Sequence, residues 1–159
     1  MVDRANDETR SVIHSAVTAA CLWGLPGVRT HLCIFDTSVV DLTSQVTDPV
    51  EVLMKVQLGG GTDIANAVGY ARVLIEAPRR AIVVLITDFF EGGSQAALIE
   101  HVRALCTQGS KVLGLAALDE QANPAYDRDL ARALVEVGAH IGAVTPGELV
   151  TWIADKVGA

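Results

Sequence analysis

The chain has 159 residues, half of them apolar and only 4% aromatic, with a net charge of −7. That length suits one domain with a real core, in which Ala, Val and Leu do the packing, as in α/β proteins whose sheet is covered on both faces. The acidic balance argues against nucleic acid and against an anionic membrane as partner, and no run approaches the ~18 apolar residues of a membrane span. The first residues, MVDRANDETR, lack the apolar core of a signal peptide. Cys21, Cys33 and Cys106 are odd in number, far apart and set among apolar residues, which predicts reduced core thiols of a cytoplasmic protein.

Val12, Ile13, Ala16, Val17, Ala20 and Cys21 recur at helical spacing and predict a first helix over 9–23, ended by Gly24, Pro26 and Gly27. Val28 to Phe35 and Val39 to Thr43 flank the turn Asp36-Thr37-Ser38 and predict a hairpin. Asp48-Pro49 starts a short helix carrying Val52, Leu53 and Val56, with Asp as cap and Pro at the first helical position. After the loop Gly59-Gly60-Gly61-Thr62-Asp63, a helix from Asp63 to Ala77 turns Ile64, Ala67, Val68, Ala71, Leu74 and Ile75 inward, and Pro78 stops it. Ala81 to Thr87 is a near-continuous β-branched run without polar alternation, the mark of a central strand buried on both faces.

Gly92-Gly93-Ser94 leads into a helix from Gln95 to Thr107. Lys111 to Leu118 predicts a strand, Pro124 to Val137 a mostly helical stretch, His140 to Val144 a strand and Gly147 to Val157 a last helix. This alternation predicts an α/β, Rossmann-like sheet, mostly parallel, with the hairpin supplying one antiparallel edge strand and helices on both faces. Residues 1–159 read as a single domain. Only Met1 and Val2 precede the acidic turn before the first helix, so most of a first, mid-sheet strand is lacking. The ladder this exposes invites association with a second copy.

Candidate chemistry gathers in three loops. Three glycines remove every Cβ from the turn before Thr62, so the backbone is free to approach a ligand, and the Thr62 hydroxyl either caps the following helix or points out as a hard oxygen. The turn Thr87-Asp88-Phe89-Phe90-Glu91 follows the most apolar strand, and Asp3 to Asp7 opens the chain. Loops at the carboxyl ends of parallel strands converge on one crevice. Three such loops bearing hard oxygens suggest a site for a divalent cation. Local roles compete with this reading: Asp88 caps its own turn, Asp3, Asp7 and Asp63 favour the positive end of a helix, Asp36 forms a turn, and Glu91 is a solvated loop acid. Phe89 and Phe90 serve either lid packing or partner contact. His14, His31, His101 and His140 lack ligand spacing and read as structural or surface residues.

In element order, in Phe35-Asp36-Thr37, in Gly59 to Asp63 and in Ile86-Thr87-Asp88, residues 3–158 resemble the von Willebrand factor A (VWA) domain, above all the cytoplasmic bacterial kind found beside MoxR-type AAA+ ATPases. The resemblance implies a metal-ion-dependent adhesion site, built from a D-x-S-x-S turn after strand one, a Thr before a helix and an Asp after the central strand. Thr62 matches the Thr and Asp88 the last Asp. Asp3-Arg4-Ala5-Asn6-Asp7 falls on D-x-S-x-S, so Asp3 is kept, Ala5 loses one hydroxyl and Asp7 substitutes an anionic oxygen for a neutral one. The implied ion is Mg²⁺, with Mn²⁺ or Ca²⁺ as substitutes, and the implied metal residues are Thr62, Asp88, Asp3 and Asp7. Three carboxylates around one ion reduce its attraction for an incoming carboxylate. The implied partner is another protein, an AAA+ ATPase of MoxR type.

The rival readings are a metal-dependent hydrolase, a receiver-like phosphoacceptor and a metal-free structural VWA-like module. GGGTD has neither the Lys of a P-loop nor the spacing of a dinucleotide fingerprint, and no Ser or Cys sits in a nucleophile elbow. Lys111 precedes a strand, where a receiver needs its Lys after one. The expectation is therefore a non-enzymatic interaction module.

Overall fold

The computed structural model describes residues 1–3, 16–17, 19–23, 26–55, 61–116, 125–144 and 146–157. Its centre is β4 (Ile82–Thr87), formed where branched side chains are most concentrated. β4 pairs in parallel with β5 (Lys111–Ala116) along its whole length, from Ile82 opposite Lys111 to Thr87 opposite Ala116. Beyond β5 lies β6 (His140–Gly142), also parallel. On the other flank stands β1 (Val2–Asp3), with Val2 opposite Ile86 of β4 and opposite Ile34 of β2 (Cys33–Phe35). The backbone around Met1 is tied to β4 as well: Ile86 N–H donates to Met1 O at 2.9 Å. β3 (Val39–Asp41) closes that edge antiparallel to β2, and the sheet order is β3-β2-β1-β4-β5-β6. The predicted sheet, including its single antiparallel edge strand, is present, and the two residues of β1 occupy the mid-sheet position.

Alternating side chains feed two cores. Val83 and Leu85 of β4, Phe35 of β2 and Val112 and Ala116 of β5 join one cluster, which α3 (Ile64–Leu74), α4 (Gln95–Thr107) and α5 (Arg128–Glu136) cover with Ile64, Val68, Leu98, Val102, Leu130 and Leu134. Val2, Ile34, Ile86 and Leu115 face the other way, under Ala16 and Ala19 of α1 (residues 16–17 and 19–23) and Leu149 of α6 (Pro146–Val157). α2 (Pro49–Lys55) contributes Val52 to the rim of this second cluster. Fully burying one such Val, Leu or Ile contributes roughly 1.5–3 kcal/mol, so the sheet is held mainly by these two apolar layers.

Several boundaries differ from the sequence reading for local reasons. α3 ends at Leu74 because Ile75 is already extended, and Pro78 opens a 3₁₀ turn, Pro78–Arg80. α5 starts at Arg128 because Asp127 caps it, its carboxylate accepting from Asp129 and Leu130 N–H at 3.0 Å each. In α1 the buried stripe is Ala16 and Ala19, with Trp23 partly buried one turn on, while Val17 and Cys21 face outward. Cys21 is thus not a core thiol. Cys33 is, and burial pushes its thiol up to about 11. No helix among the described residues is long and apolar enough to cross a membrane.

Candidate functional site

β1, β2, β4 and β5 are parallel, so the segments that follow them emerge at one edge of the sheet. The loop before α3 lies across that edge. Asp63 N–H donates to Asp36 O at 2.8 Å, behind β2, and Thr62 O accepts from Gly92 N–H at 2.9 Å, behind β4. Because β1 stands between β2 and β4, residues 61–63 bridge over its carboxyl end. Thr62 and the turn bearing Asp88 are therefore neighbours. Asp3 ends β1 at the same edge, and Asp7 and Ala5 lie outside the described residues. Among the described residues, no three of His, Cys, Asp and Glu are grouped to hold a metal ion.

The turn after β4 has an unusual backbone. Thr87 Oγ1 accepts from Phe89 N–H at 3.2 Å, and Asp88 Oδ1 accepts from Phe90 N–H at 3.0 Å. Phe89 takes φ 62, a left-handed conformation that is rare for a bulky side chain and costs on the order of 1–3 kcal/mol. The kink sends the two phenyl rings in opposite directions. Phe89 is fully buried, edge-on to Tyr126 with ring centroids 6.3 Å apart. It also packs on Gly114, where a Cβ would come within 2.7 Å of the ring. Phe90 is 56% exposed. The two roles left open for the pair are thus divided: Phe89 packs and Phe90 faces solvent.

Asp88 is buried, and that burial raises its carboxyl above the usual carboxylate range against the opposing pull of the Phe90 N–H. Its backbone carbonyl accepts from Asp127 N–H at 3.0 Å, so the start of α5 is fastened to the same turn. Asp36, also buried, closes a small turn of its own, its Oδ1 accepting from Ser38 N–H at 2.7 Å and from the Ser38 hydroxyl at 3.0 Å. That is the turn-forming role expected of it.

One of the two roles left open for Thr62 goes to its neighbour, and one expectation, for Glu91, is corrected. The side chain that caps α3 is Asp63, accepting from Asn66 N–H at 2.8 Å, and not Thr62, because the helix starts one residue later than a Thr cap requires. Glu91 is not a solvated loop acid. Its Oε2 accepts from Ala65 N–H at 2.8 Å, and its Oε1 from Ile64 N–H at 3.2 Å and Gly93 N–H at 2.7 Å. With Asp63, it satisfies the first three N–H groups of α3, where the helix dipole favours negative charge. Spacing along the chain says nothing of a contact across 26 residues; the one local sign was the acid set directly before Gly92-Gly93, a pair able to fold back. Asp127 was missed too, although Asp-Arg-Asp-Leu has the form of a helix cap. Among the histidines, His101 Nδ1 lies 2.7 Å from Arg72 Nη1 between α4 and α3, a structural placement.

An open, mostly parallel sheet with two loops joined over its first strand is the architecture of VWA-type modules. Residues 2–153 match the family model described as "VWA domain containing CoxE-like protein", and the chain belongs to that family. It is 61% identical over 157 residues to the Escherichia coli (strain K12) protein called "Uncharacterized protein YehP". The match takes in 99% of this chain and 42% of that protein, so the chain spans less than half the length of this relative. Two solved structures share the fold at low identity. An aerotolerance-related membrane protein from Bacteroides fragilis superposes with a TM-score of 0.68 at 12% identity, covering 99% of this chain and 92% of that one. The conserved hypothetical protein BatB from Bacteroides thetaiotaomicron gives 0.64 at 14%, covering 99% and 94%.

Proposed function

We propose that the chain is a non-enzymatic protein-interaction module that meets its partner at the carboxyl edge of the sheet through a divalent ion, Mg²⁺ or its substitute Mn²⁺. The observation that carries this reading is the hydrogen bond from Gly92 N–H to Thr62 O at 2.9 Å, which joins the glycine loop to the turn of Asp88. The donor chemistry fits a hard cation. Asp88 is a buried carboxylate whose charge is costly where it stands, and a cation beside it offsets that cost. Thr62 offers a neutral hydroxyl oxygen. Asp3 and Asp7 are the further ligands the family pattern implies. Bound there, the ion supplies an electrophilic position for a carboxylate of the partner. Phe90, exposed beside Asp88, gives that partner an apolar contact. By family resemblance the partner is an AAA+ ATPase of MoxR type.

Calorimetric titration of the folded chain with MgCl₂ and MnCl₂ tests the ion. The expected result is saturable binding at or below millimolar metal, lost in Asp88→Asn and weakened in Thr62→Ala. Absence of heat from the intact chain at millimolar metal removes the ion from the account. A second reading then takes over, a metal-free assembly module, which Ala5 favours because it deletes one hydroxyl from the expected ligand set.

A further inference from the structure

Glu91 sits three residues beyond Asp88, on the loop that carries it, yet its carboxylate is used by the neighbouring loop. Both oxygens accept from backbone N–H groups of α3, Ile64 at 3.2 Å and Ala65 at 2.8 Å, and Oε1 also takes Gly93 N–H at 2.7 Å. Capping alone does not require this, because Asp63 already serves Asn66 N–H at 2.8 Å and one such side chain is the ordinary equipment of a helix start. What the extra bonds add is a link between chain segments 26 and 27 residues apart.

The next residue extends the link. Gly92 N–H donates to Thr62 O at 2.9 Å, and a Cβ at Gly92 would stand 2.6 Å from that oxygen. Glu91 grips the first turn of α3 and Gly92 grips Thr62 in the loop before it. On the far side the same loop is fastened by Asp63 N–H to Asp36 O at 2.8 Å. Thr62 is thus held between the turns after β2 and β4, and the grip on the β4 side is made by the loop that also carries Asp88.

We propose that Glu91 is a positioning residue: its carboxylate latches the turn after β4 to the first turn of α3 and so sets Thr62 relative to Asp88, without touching the ion. The consequence for ion affinity rests on the ion-mediated reading above; the latch itself does not. Groups that orient metal ligands from behind are worth about 10–100-fold in affinity.

The test compares the intact chain with Glu91→Gln and Glu91→Ala. Gln keeps a side-chain oxygen for Ala65 N–H, and loses the charge and the second oxygen that accepts from Ile64 and Gly93 N–H. Amide hydrogen exchange is followed first in ion-free protein. The expected result is slow exchange at Ile64, Ala65 and Gly92 in the parent, slow exchange at Ala65 and Gly92 in Glu91→Gln, and fast exchange at all three in Glu91→Ala, with the amides of β4 and β5 unchanged. Mn²⁺ titration then shows Glu91→Gln near the parent and Glu91→Ala weaker by about 10–100-fold. If Glu91→Ala also loses the strand amides, Glu91→Asp, one methylene shorter, takes its place in the same comparison. Unchanged Gly92 exchange in Glu91→Ala overturns the latch. Equal loss of Mn²⁺ in the Gln and Ala variants, with Gly92 still protected in Glu91→Gln, makes the charge the active element and overturns positioning. A parent chain that binds no Mn²⁺ but whose Gly92 protection depends on Glu91 sinks the ion-mediated reading and leaves the latch standing.

Discussion

The turns after β2 and β4 begin alike. Each places a buried Asp just past a parallel strand, and in each the Asp carboxylate accepts the backbone N–H two residues on: Ser38 for Asp36, Phe90 for Asp88. In the first turn the carboxylate is used locally, since Asp36 Oδ1 also takes the Ser38 hydroxyl, and the outward contacts are to the start of α3: Asp63 N–H to Asp36 O and Asn66 Nδ2 to Thr37 O. The second reaches further. Phe89 is driven into the core at φ 62, Glu91 crosses to α3, Gly92 meets Thr62 O, and Asp88 O receives the start of α5. The same local hydrogen bond therefore sits in a turn that meets one neighbouring segment in one place, and in a turn that gathers the starts of both α3 and α5 in the other. The difference lies in the four residues that follow, not in the aspartate.

The largest effect expected from breaking this contrast is at Phe89. Phe89→Ala removes a fully buried ring from between Tyr126 and Gly114, keeps the Cβ at φ 62, and costs about 3–5 kcal/mol in chemical denaturation. Its neighbour makes the control: Phe90→Ala shifts stability by no more than about 0.5 kcal/mol, because that ring is exposed.

Next comes Gly92. Gly92→Ala sets a methyl 2.6 Å from a backbone oxygen that has no side-chain freedom to yield, and about 1–3 kcal/mol is lost as the loops separate. Gly61→Ala, whose Cβ would meet only Thr37 Cγ2 at 3.9 Å, leaves stability near the parent's. Equal losses in the two variants would show that the loops do not depend on this approach.

The smallest and most diagnostic change is Asp88→Asn, measured as stability against pH in ion-free protein. The folded carboxyl lies above its ordinary value of 3.8, so the folded chain holds its proton more tightly than the unfolded chain does. Ionised Asp88 therefore subtracts stability, beginning as pH rises past that ordinary value and in full above the folded one. Asn keeps an oxygen for Phe90 N–H and carries no charge. Asp88→Asn is expected to be the more stable protein at neutral pH, with the gap closing as pH falls toward 4. A parent more stable than the variant at pH 7 contradicts the burial argument.

The sheet was legible because its signals are local and repeated. The β-branched run of Ile82–Thr87, the helical stripes of α3 and α4 and the Gly and Pro breaks between them each follow from a few adjacent residues. Where a boundary moved, a cap or a missing neighbour moved it, as Asp127 did for α5. The site was legible only in part. That Thr62 and the turn of Asp88 meet at one edge was legible because each stands just past a strand or just before a helix, where topology gathers loops. Glu91 was misread as a solvated acid because its partners lie on another element, and Phe89 and Phe90 look identical on paper while the backbone turns them apart.

By itself the sequence determined which segments become strands and helices, the parallel order that crossovers this short allow, and hence that the glycine loop and Asp88 share one edge. Only the tertiary structure decided what those loops do to each other: that Glu91 is spent on the backbone of α3, that Gly92 is a glycine because a carbonyl lies against it, and that Asp88 is deep enough for burial to raise its carboxyl. The reason is physical. Periodicity and turn chemistry act over a few residues, whereas desolvation and close backbone approach depend on chain brought together from far away.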